Sequence, residues 1–471
     1  MLIEKDSHIS IFLVTLVSYS RTDHSYELGG SIPESSVCGG GIGGLMLALV
    51  IGKYGTHPVE IFEAGPTITT IGAGIGFHGR TMDIMKDLGL YDGLVKMATN
   101  PPKENTGAIF RKSDQRDGYR WFSRNLKRGR FSVHRKDLVN LLLRHVPASC
   151  KVHTSKKLNS YDVNSEIGKI TLHFSDGTSS VTDVLVGADG IRSATRNTMF
   201  HKLASSIRDD YSRKRLLECI DPVWTGILVY RNLVPTTKLL KEYPDVELPT
   251  GLTVHLGKNK HIVAYPISQG QLINVVIFVH NHDAFGAPFE GHWVTDVSED
   301  EVSHLFEGWD VHAEALVKCI ERPSRWALHS LQPLPHYVDG RVALLGDAAH
   351  AMEPHFGAGA GQAMEDAYVL GRLLTHELTH LENIADALKM YEEVRLPFAN
   401  SIIQRSRDVG RYYSFSVSRD GPVPSRDSPE DLDYLRKSIE DAWAWQSEIE
   451  WVWGDAEQRW RASVSSMLAK P

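Results

Sequence analysis

A chain of 471 residues with 42% apolar and 23% charged side chains has the composition of a globular protein of two or three domains, which excludes wholesale disorder. Its formal net charge of −7 offers no basic face for nucleic acid. The four cysteines, Cys38, Cys150, Cys219 and Cys319, form no CxxC pair, so neither a disulfide framework nor a metal site is expected, and a reducing, cytoplasmic setting is.

No run reaches the ~18 apolar residues needed to span a bilayer. The nearest, Ile9 to Val17, follows a start that carries Glu4 and Asp6 against Lys5, the wrong charge for a secretory signal. Residues 1–36 read as an atypical extension. Val37 to Gly44 then holds GxGxxG at Gly39, Gly41 and Gly44, and the apolar run Leu45 to Val50 continues it as a buried helix. Val59 to Phe62 reads as a second strand ending at Glu63, 19 residues after Gly44. That is the spacing at which a carboxylate meets the ribose of a dinucleotide whose pyrophosphate lies on the helix start. A lone GxGxxG says little; with the helix, the second strand and the acid it predicts dinucleotide binding.

The strand feeding the glycine turn should be continuously apolar, yet Ser31 to Ser36 contains Pro33 and three serines. Proline cannot donate to a central ladder. The strand is therefore expected either to shrink to about three residues or to give way to a region outside the expected fold. Gly72 to Gly76 forms a second glycine cluster, either a tight loop on the sheet or a cofactor contact, followed by an amphipathic helix over Thr81 to Leu90. Arg135 stands at the start of a helix running through Leu143, as a surface charge or a phosphate partner. Lys151 to Asp183 alternates as strands and hairpins do, with a turn at Ser175-Asp176-Gly177. Val184 to Val186 is a further buried strand, stopping at Gly187-Ala188-Asp189-Gly190.

From Val223 to Val279 short β-type runs recur at Gly226–Arg231, Leu252–Leu256, His261–Tyr265 and Leu272–Val279, which predicts an antiparallel sheet. Val342 to Leu345 reads as a buried strand that stops at Gly346-Asp347. Past Pro354, three glycines at Gly357, Gly359 and Gly361 lead into a helix with little bulk in its first turn. Backbone can approach a ligand there, the helix start favours negative charge, and Asp347 can accept from sugar-type hydroxyls. His350 suits packing in its loop, whereas His355 suits pocket or packing equally. Gln362 to Arg411 predicts long helices broken at Pro397, and the tail Asp431 to Leu468 a tryptophan-rich helical region docked on the chain itself.

GxGxxG with Glu63, then Gly187-Ala188-Asp189-Gly190, then Gly346-Asp347 before a glycine-rich helix start, resembles the FAD-dependent aromatic-ring monooxygenases of the para-hydroxybenzoate hydroxylase fold. Pro354 to Gln362 and Glu365-Asp366-Ala367-Tyr368 look most like the salicylate hydroxylase-like branch, many of whose members are fungal. The resemblance spans roughly Val37 to Arg411. It implies an α/β fold: a Rossmann-like FAD-binding domain split over 37–200 and 330–400, a substrate-binding β-sheet domain over 201–329, and a C-terminal helical region over 401–471.

The resemblance also implies roles. Gly39, Gly41 and Gly44 carry the dinucleotide turn; Glu63 and Gly76 serve the adenosine side of FAD, Arg135 its phosphates, and Asp347, Gly359 and Ala360 the ribitol and flavin. Asp189 and Arg192 fall in a motif tied to FAD and to transient NAD(P)H binding. Tyr230-Arg231 and Tyr265-Pro266 match pairs on facing strands whose arginine and tyrosine, here Arg231 and Tyr265, serve catalysis. The family's Gly-Gln-Gly is Gly357-Ala358-Gly359 here, which changes the polarity beside the flavin.

The expected activity is hydroxylation of a phenolic or hydroxybenzoate-type aromatic, with or without decarboxylation, using NAD(P)H, O2 and a flavin hydroperoxide, in a monomer or homodimer of secondary metabolism. An always-charged arginine suits it, because a phenol with a pKa near ~10 becomes a good nucleophile only when a cation lowers that value. Two alternatives stand beside it: an epoxidase, and a scaffold that has lost FAD through its damaged first strand. A halogenase would want WxWxIP in mid-chain, where no such stretch occurs.

Overall fold

The computed structural model describes residues 33–68, 74–98, 107–125, 129–164, 166–421, 425, 427–447 and 452–469. The run Ile9 to Val17, together with Gly72, Ala73 and Trp451, lies outside the described residues. Two sheets dominate an α/β fold.

The first sheet has six strands. Its centre is Ser35–Cys38, parallel to Val184–Gly187 on one side and to Val59–Phe62 on the other. The interrupted first strand therefore forms and occupies the middle of the sheet. Pro33 stands before it, so its missing N–H is outside the ladder, and Ser35 and Ser36 are small enough to be buried while their backbone pairs on both edges. Cys150–His153 and Val342–Leu344 extend the parallel order outward, and Val338–Asp339 closes one edge antiparallel. The helix Ile42–Tyr54 is apolar all round and is buried accordingly, against the sheet and the helix Gly359–Leu374.

The second sheet has eight strands. Val223–Pro235, Leu272–His280, Lys260–Ile267 and Leu252–Gly257 lie in that spatial order, all antiparallel, and carry the four β-type runs read from the sequence. Ser324–Ser330 and Val294–Asp296 extend one side. Gly107–Lys112 and Tyr119–Asn125 extend the other, although they come from the segment between the first two strands and the helix at Arg135. Alternation gives each strand two faces. Tyr230, Ile262, Ala264, Ile273, Val275 and Ile277 pack on the helices between Val302 and Ile320; Val229, Arg231, Val263, Tyr265, Asn274 and Val276 face the opposite way, into a cavity.

Pro397 does not break the helical region. Ile384–Tyr413 is one 30-residue helix with Pro397 inside it. Proline removes one backbone hydrogen bond, but Tyr391, Arg395, Ala399 and Ile402 on either side are buried, so tertiary packing holds the axis through the gap. In the tail, Pro429–Ala442 and Val452–Leu468 bury Trp443, Trp453 and Trp460 against the rest of the chain, and Trp443 Nε1 donates to the Tyr413 hydroxyl at 2.9 Å. No helix among the described residues is long and apolar enough to cross a membrane.

Candidate active site

Between the two sheets lies a cavity of about 480 Å³, within the range of small-molecule sites. One wall is the glycine turn and the helix start: Gly41, Ile42 and Gly43 with Gly346, Asp347, Gly357, Gly359 and Ala360. The other is the β-sheet face carrying Arg231, Tyr265 and Asn274. Gly76 and Arg135 line it between them.

The glycines of the turn are demanded by close approach. Gly39 has φ +115°, and a Cβ there would lie 2.1 Å from the Ala188 carbonyl oxygen; a Cβ at Gly44 would lie 2.0 Å from the Gly39 carbonyl oxygen. Gly41 differs, since a Cβ there would meet nothing within 4 Å, only the space of the cavity. Glu63 stands immediately behind: Oε2 accepts from Gly40 N–H at 2.8 Å and Oε1 from Gly65 N–H at 2.7 Å. It does not line the cavity.

Neither does Asp189. Its Oδ1 accepts from the Ser193 hydroxyl at 2.5 Å and its Oδ2 from Thr195 N–H at 3.0 Å, so the carboxylate organises the first turn of the helix Ala194–Ser205. Its neighbours Ala188 and Ile191 reach the cavity instead. Arg192 stacks at 3.8 Å over Trp293, which stacks on His329 at 3.6 Å; the two rings line the cavity.

The turn at Gly346-Asp347 is set from below by a buried ion network. Asp366 Oδ2 accepts from Gly346 N–H at 3.0 Å and meets His350 Nε2 at 2.5 Å, while Asp366 Oδ1 accepts from Arg395 Nε at 2.7 Å. Arg395 also donates to Glu365 at 2.9 Å, and Arg80 grips the same carboxylate through Nε and Nη2. Burial pushes the Asp366 carboxyl up, but His350 and Arg395 outweigh it and hold it down at about 2. Asp347 itself is exposed to the cavity. The first N–H groups of Gly359–Leu374 have no intrahelical partner and open on the same wall.

On the sheet wall, register brings Arg231 opposite Val276 and Tyr265 opposite Asn274. Burial raises the Tyr265 phenol, against the opposing pull of Arg130, Arg231 and Asn274, and the net shift is upward. It is therefore a proton-bearing donor at neutral pH. Burial lowers the Arg231 guanidinium, with Tyr265 opposing, and no carboxylate pairs with it among the described residues. His355 lines the cavity and is also structural: its Nε2 meets Glu353 Oε2 at 3.0 Å, and it packs against His261 and His280.

Sequence reasoning passed over Arg130, Asn274, Trp293, Trp326 and His329, all of which line the cavity. Asn274 and Trp326 had a findable signal, since alternation from Arg231 through the paired strands puts them on its face. Arg130 sits in a basic stretch with no periodicity, and only the fold brings it in.

These groups fit FAD by their chemistry: an open approach at Gly41, helix-start N–H groups for negative charge, the unpartnered buried Nε of Arg135, and a carboxylate at Asp347 that accepts from hydroxyls. The chain matches the FAD binding domain family over residues 34–213 and 254–406. It belongs to that family. It is 35% identical over 387 residues to salicylate hydroxylase of Pseudomonas putida, spanning 80% of this chain and 85% of the relative. It is 29% identical over 443 residues to 6-methylsalicylate 1-monooxygenase of Aspergillus terreus, spanning 91% of each. A solved structure described as a salicylate hydroxylase substrate complex superposes with a TM-score of 0.74 at 30% identity, covering 94% of this chain and 99% of that one. The chain is an FAD-dependent monooxygenase of the salicylate hydroxylase type.

Proposed function

We propose that this monooxygenase uses NAD(P)H and O2 to hydroxylate a phenolic or hydroxybenzoate-type aromatic in the cavity between the sheets. In this reading 37–200 and 330–400 hold FAD and 201–329 hold the substrate. Gly39, Gly41 and Gly44 seat the pyrophosphate, Arg135 neutralises it, Glu63 takes ribose hydroxyls, and Asp347 with the Gly359–Ala360 helix start takes the ribitol and flavin side. Bound FAD supplies the oxygen-activating redox chemistry.

The observation that carries the reading is Arg231 beside Tyr265 on the wall facing Asp347 and Ala360. Arg231 stabilises the phenolate, drawing the substrate's proton off and raising the electron density of the ring. Tyr265 donates to that oxygen and orients it. Val229, Val254, Val263 and Val276 exclude water around them. Replacing Arg231 with alanine is expected to leave FAD bound and to lower kcat/KM for hydroxylation on the order of 10²-fold, the scale of one lost charge-assisted contact. NAD(P)H consumption with separate assay of hydroxylated product and H2O2 checks this; product at the parental rate sinks the assignment.

A further inference from the structure

Asparagine suits the middle of a buried strand poorly, because its amide must be satisfied there without water. Asn274 nonetheless stands in Leu272–His280, 1% exposed, on the face that lines the cavity with Val263 and Val276. The two ends of its amide are treated differently. Oδ1 accepts from the Gly74 N–H at 3.2 Å, at the start of the strand Gly74–Phe77. A backbone N–H only donates, so this bond fixes which end of the amide is oxygen and which is nitrogen. Nδ2, with two protons to give, is buried and makes no hydrogen bond among the described residues. Directly opposite Asn274 in the ladder is Tyr265, on the same face. Gly74 reaches that spot too, since a Cβ there would lie 2.5 Å from Tyr265 Cε2 and 2.8 Å from its hydroxyl oxygen. The phenol, the Gly74 backbone and the Asn274 amide therefore crowd one point. Arg130 approaches the Tyr265 ring at 5.7 Å from beside Gly76 and Gly357. The groups that act on the phenol, Arg130, Arg231 and Asn274, all pull its ionisation down, as donors do.

Resting on the functional reading above, we propose that Asn274 is a positioning residue for Tyr265: its Nδ2 supplies a donor to the phenol oxygen and so turns the single hydroxyl proton into the cavity, toward the substrate's oxygen. The orientation of the amide is decisive. With Oδ1 facing Tyr265, the phenol would donate into the wall and have no proton left for the substrate. The Gly74 N–H occupies Oδ1 and prevents this. Arg130 and Arg231 carry no acceptor, so neither takes the proton. The wall around Tyr265 thus offers its oxygen donors alone, and the acceptor that completes the set arrives with the substrate.

The test labels the oxidised holoenzyme with fluorotyrosine, which ionises more readily than tyrosine, and follows Tyr265 by fluorine NMR, its line identified by absence from Tyr265→Phe. Asn274→Leu removes the donor; Asn274→Asp replaces it with an acceptor for the phenol proton. Both are expected to move the ionisation of Tyr265 to higher pH, the aspartate further, with bound FAD per chain unchanged. The leucine variant, of similar size and uncharged, decides the matter if the aspartate variant does not fold. Turnover of ortho-hydroxybenzoate gives the second reading. Asn274→Asp is expected to lower kcat about 10- to 100-fold, the scale of one misdirected hydrogen bond, and to lower it no further in a chain already carrying Tyr265→Phe. An unmoved Tyr265 ionisation in the folded variants, or losses from Asn274→Asp and Tyr265→Phe that add in full, overturns the proposal, the latter by showing that Asn274 does not act through Tyr265. A parental enzyme that hydroxylates no phenol would count against the functional reading alone, because the ionisation of Tyr265 is read without substrate.

Discussion

Gly41 and Gly44 are three residues apart in one turn and answer to different demands. Gly44 is required by the protein, because its Cβ would strike the Gly39 carbonyl oxygen at 2.0 Å, and backbone cannot step aside. Gly41 has extended backbone that any residue adopts, at φ −72° and ψ −173°, and open space beyond its α-carbon. Its demand comes from the ligand. Gly41→Ala is thus expected to leave the unfolding midpoint of the FAD-free protein within roughly 0.5 kcal/mol of the parent, while weakening FAD binding on the order of 10-fold or more through lost approach of the turn to the pyrophosphate. Gly44→Ala is expected to lower both. Denaturant unfolding of the stripped protein and fluorescence titration with FAD separate the two effects. Equal losses in both variants would mean that Gly41 is structural as well. The fingerprint was legible because these constraints are local, whereas Arg130 was invisible because its neighbours Gly76, Tyr265 and Gly357 are scattered over the chain.

At the scale of elements, the apolar runs and the carboxylate spacing disclosed the strands, whereas Arg231 and Tyr265 entered through the resemblance and only the pairing of their strands shows that they share a face of the second sheet. Helix interruption did not read correctly. A proline rule sees only the lost bond at Pro397, while the helix is held by Arg395, two residues earlier, reaching across to Glu365 and Asp366 on the helix Gly359–Leu374. That link fixes the helix whose first turn faces the cavity. Arg395→Met keeps most of the volume but leaves two buried carboxylates short of their cation. It is expected to destabilise the chain by about 3–5 kcal/mol and to lower FAD occupancy, since Asp366 also accepts from the Gly346 N–H that shapes the turn before Asp347. Chemical denaturation with a flavin-content assay checks this. A loss below about 1 kcal/mol would show that Arg80 and His350 suffice to neutralise the pair.

Across the whole molecule, the sequence displays the cofactor wall better than the substrate wall, because a glycine turn is written in consecutive residues and a sheet face in alternate ones from distant strands. The same non-local packing buries histidines that no linear pattern marks. His261 and His280 touch through Nδ1 and Nε2 at 3.2 Å, with His355 and His282 stacked beside His280. Burial, ahead of the neighbouring cations and rings, pulls His261 and His280 well below their usual value, His255 to about 4 and His78 to about 3. Each is a base whose folded pKa lies below its unfolded value near ~6.5. Between those two values the unfolded chain binds the extra proton, so stability falls as pH drops below about 6.5, by up to roughly 1.4 kcal/mol per pH unit for each such histidine. For His255 the loss stops near pH 4, where both states are protonated. Asp366, held at about 2, contributes its own loss only below about pH 4, outside that window. Unfolding midpoints measured at saturating FAD from pH 8 to pH 5 are expected to stay level down to about 6.5 and then to fall steeply. His261→Phe, which keeps an aromatic ring against Phe278 at the 4.4 Å stack, is expected to reduce the steepness by about one proton. A flat profile from pH 7 to pH 5 would mean that these rings are hydrated or paired in solution and that the packing beneath the cavity is looser than the structure has it.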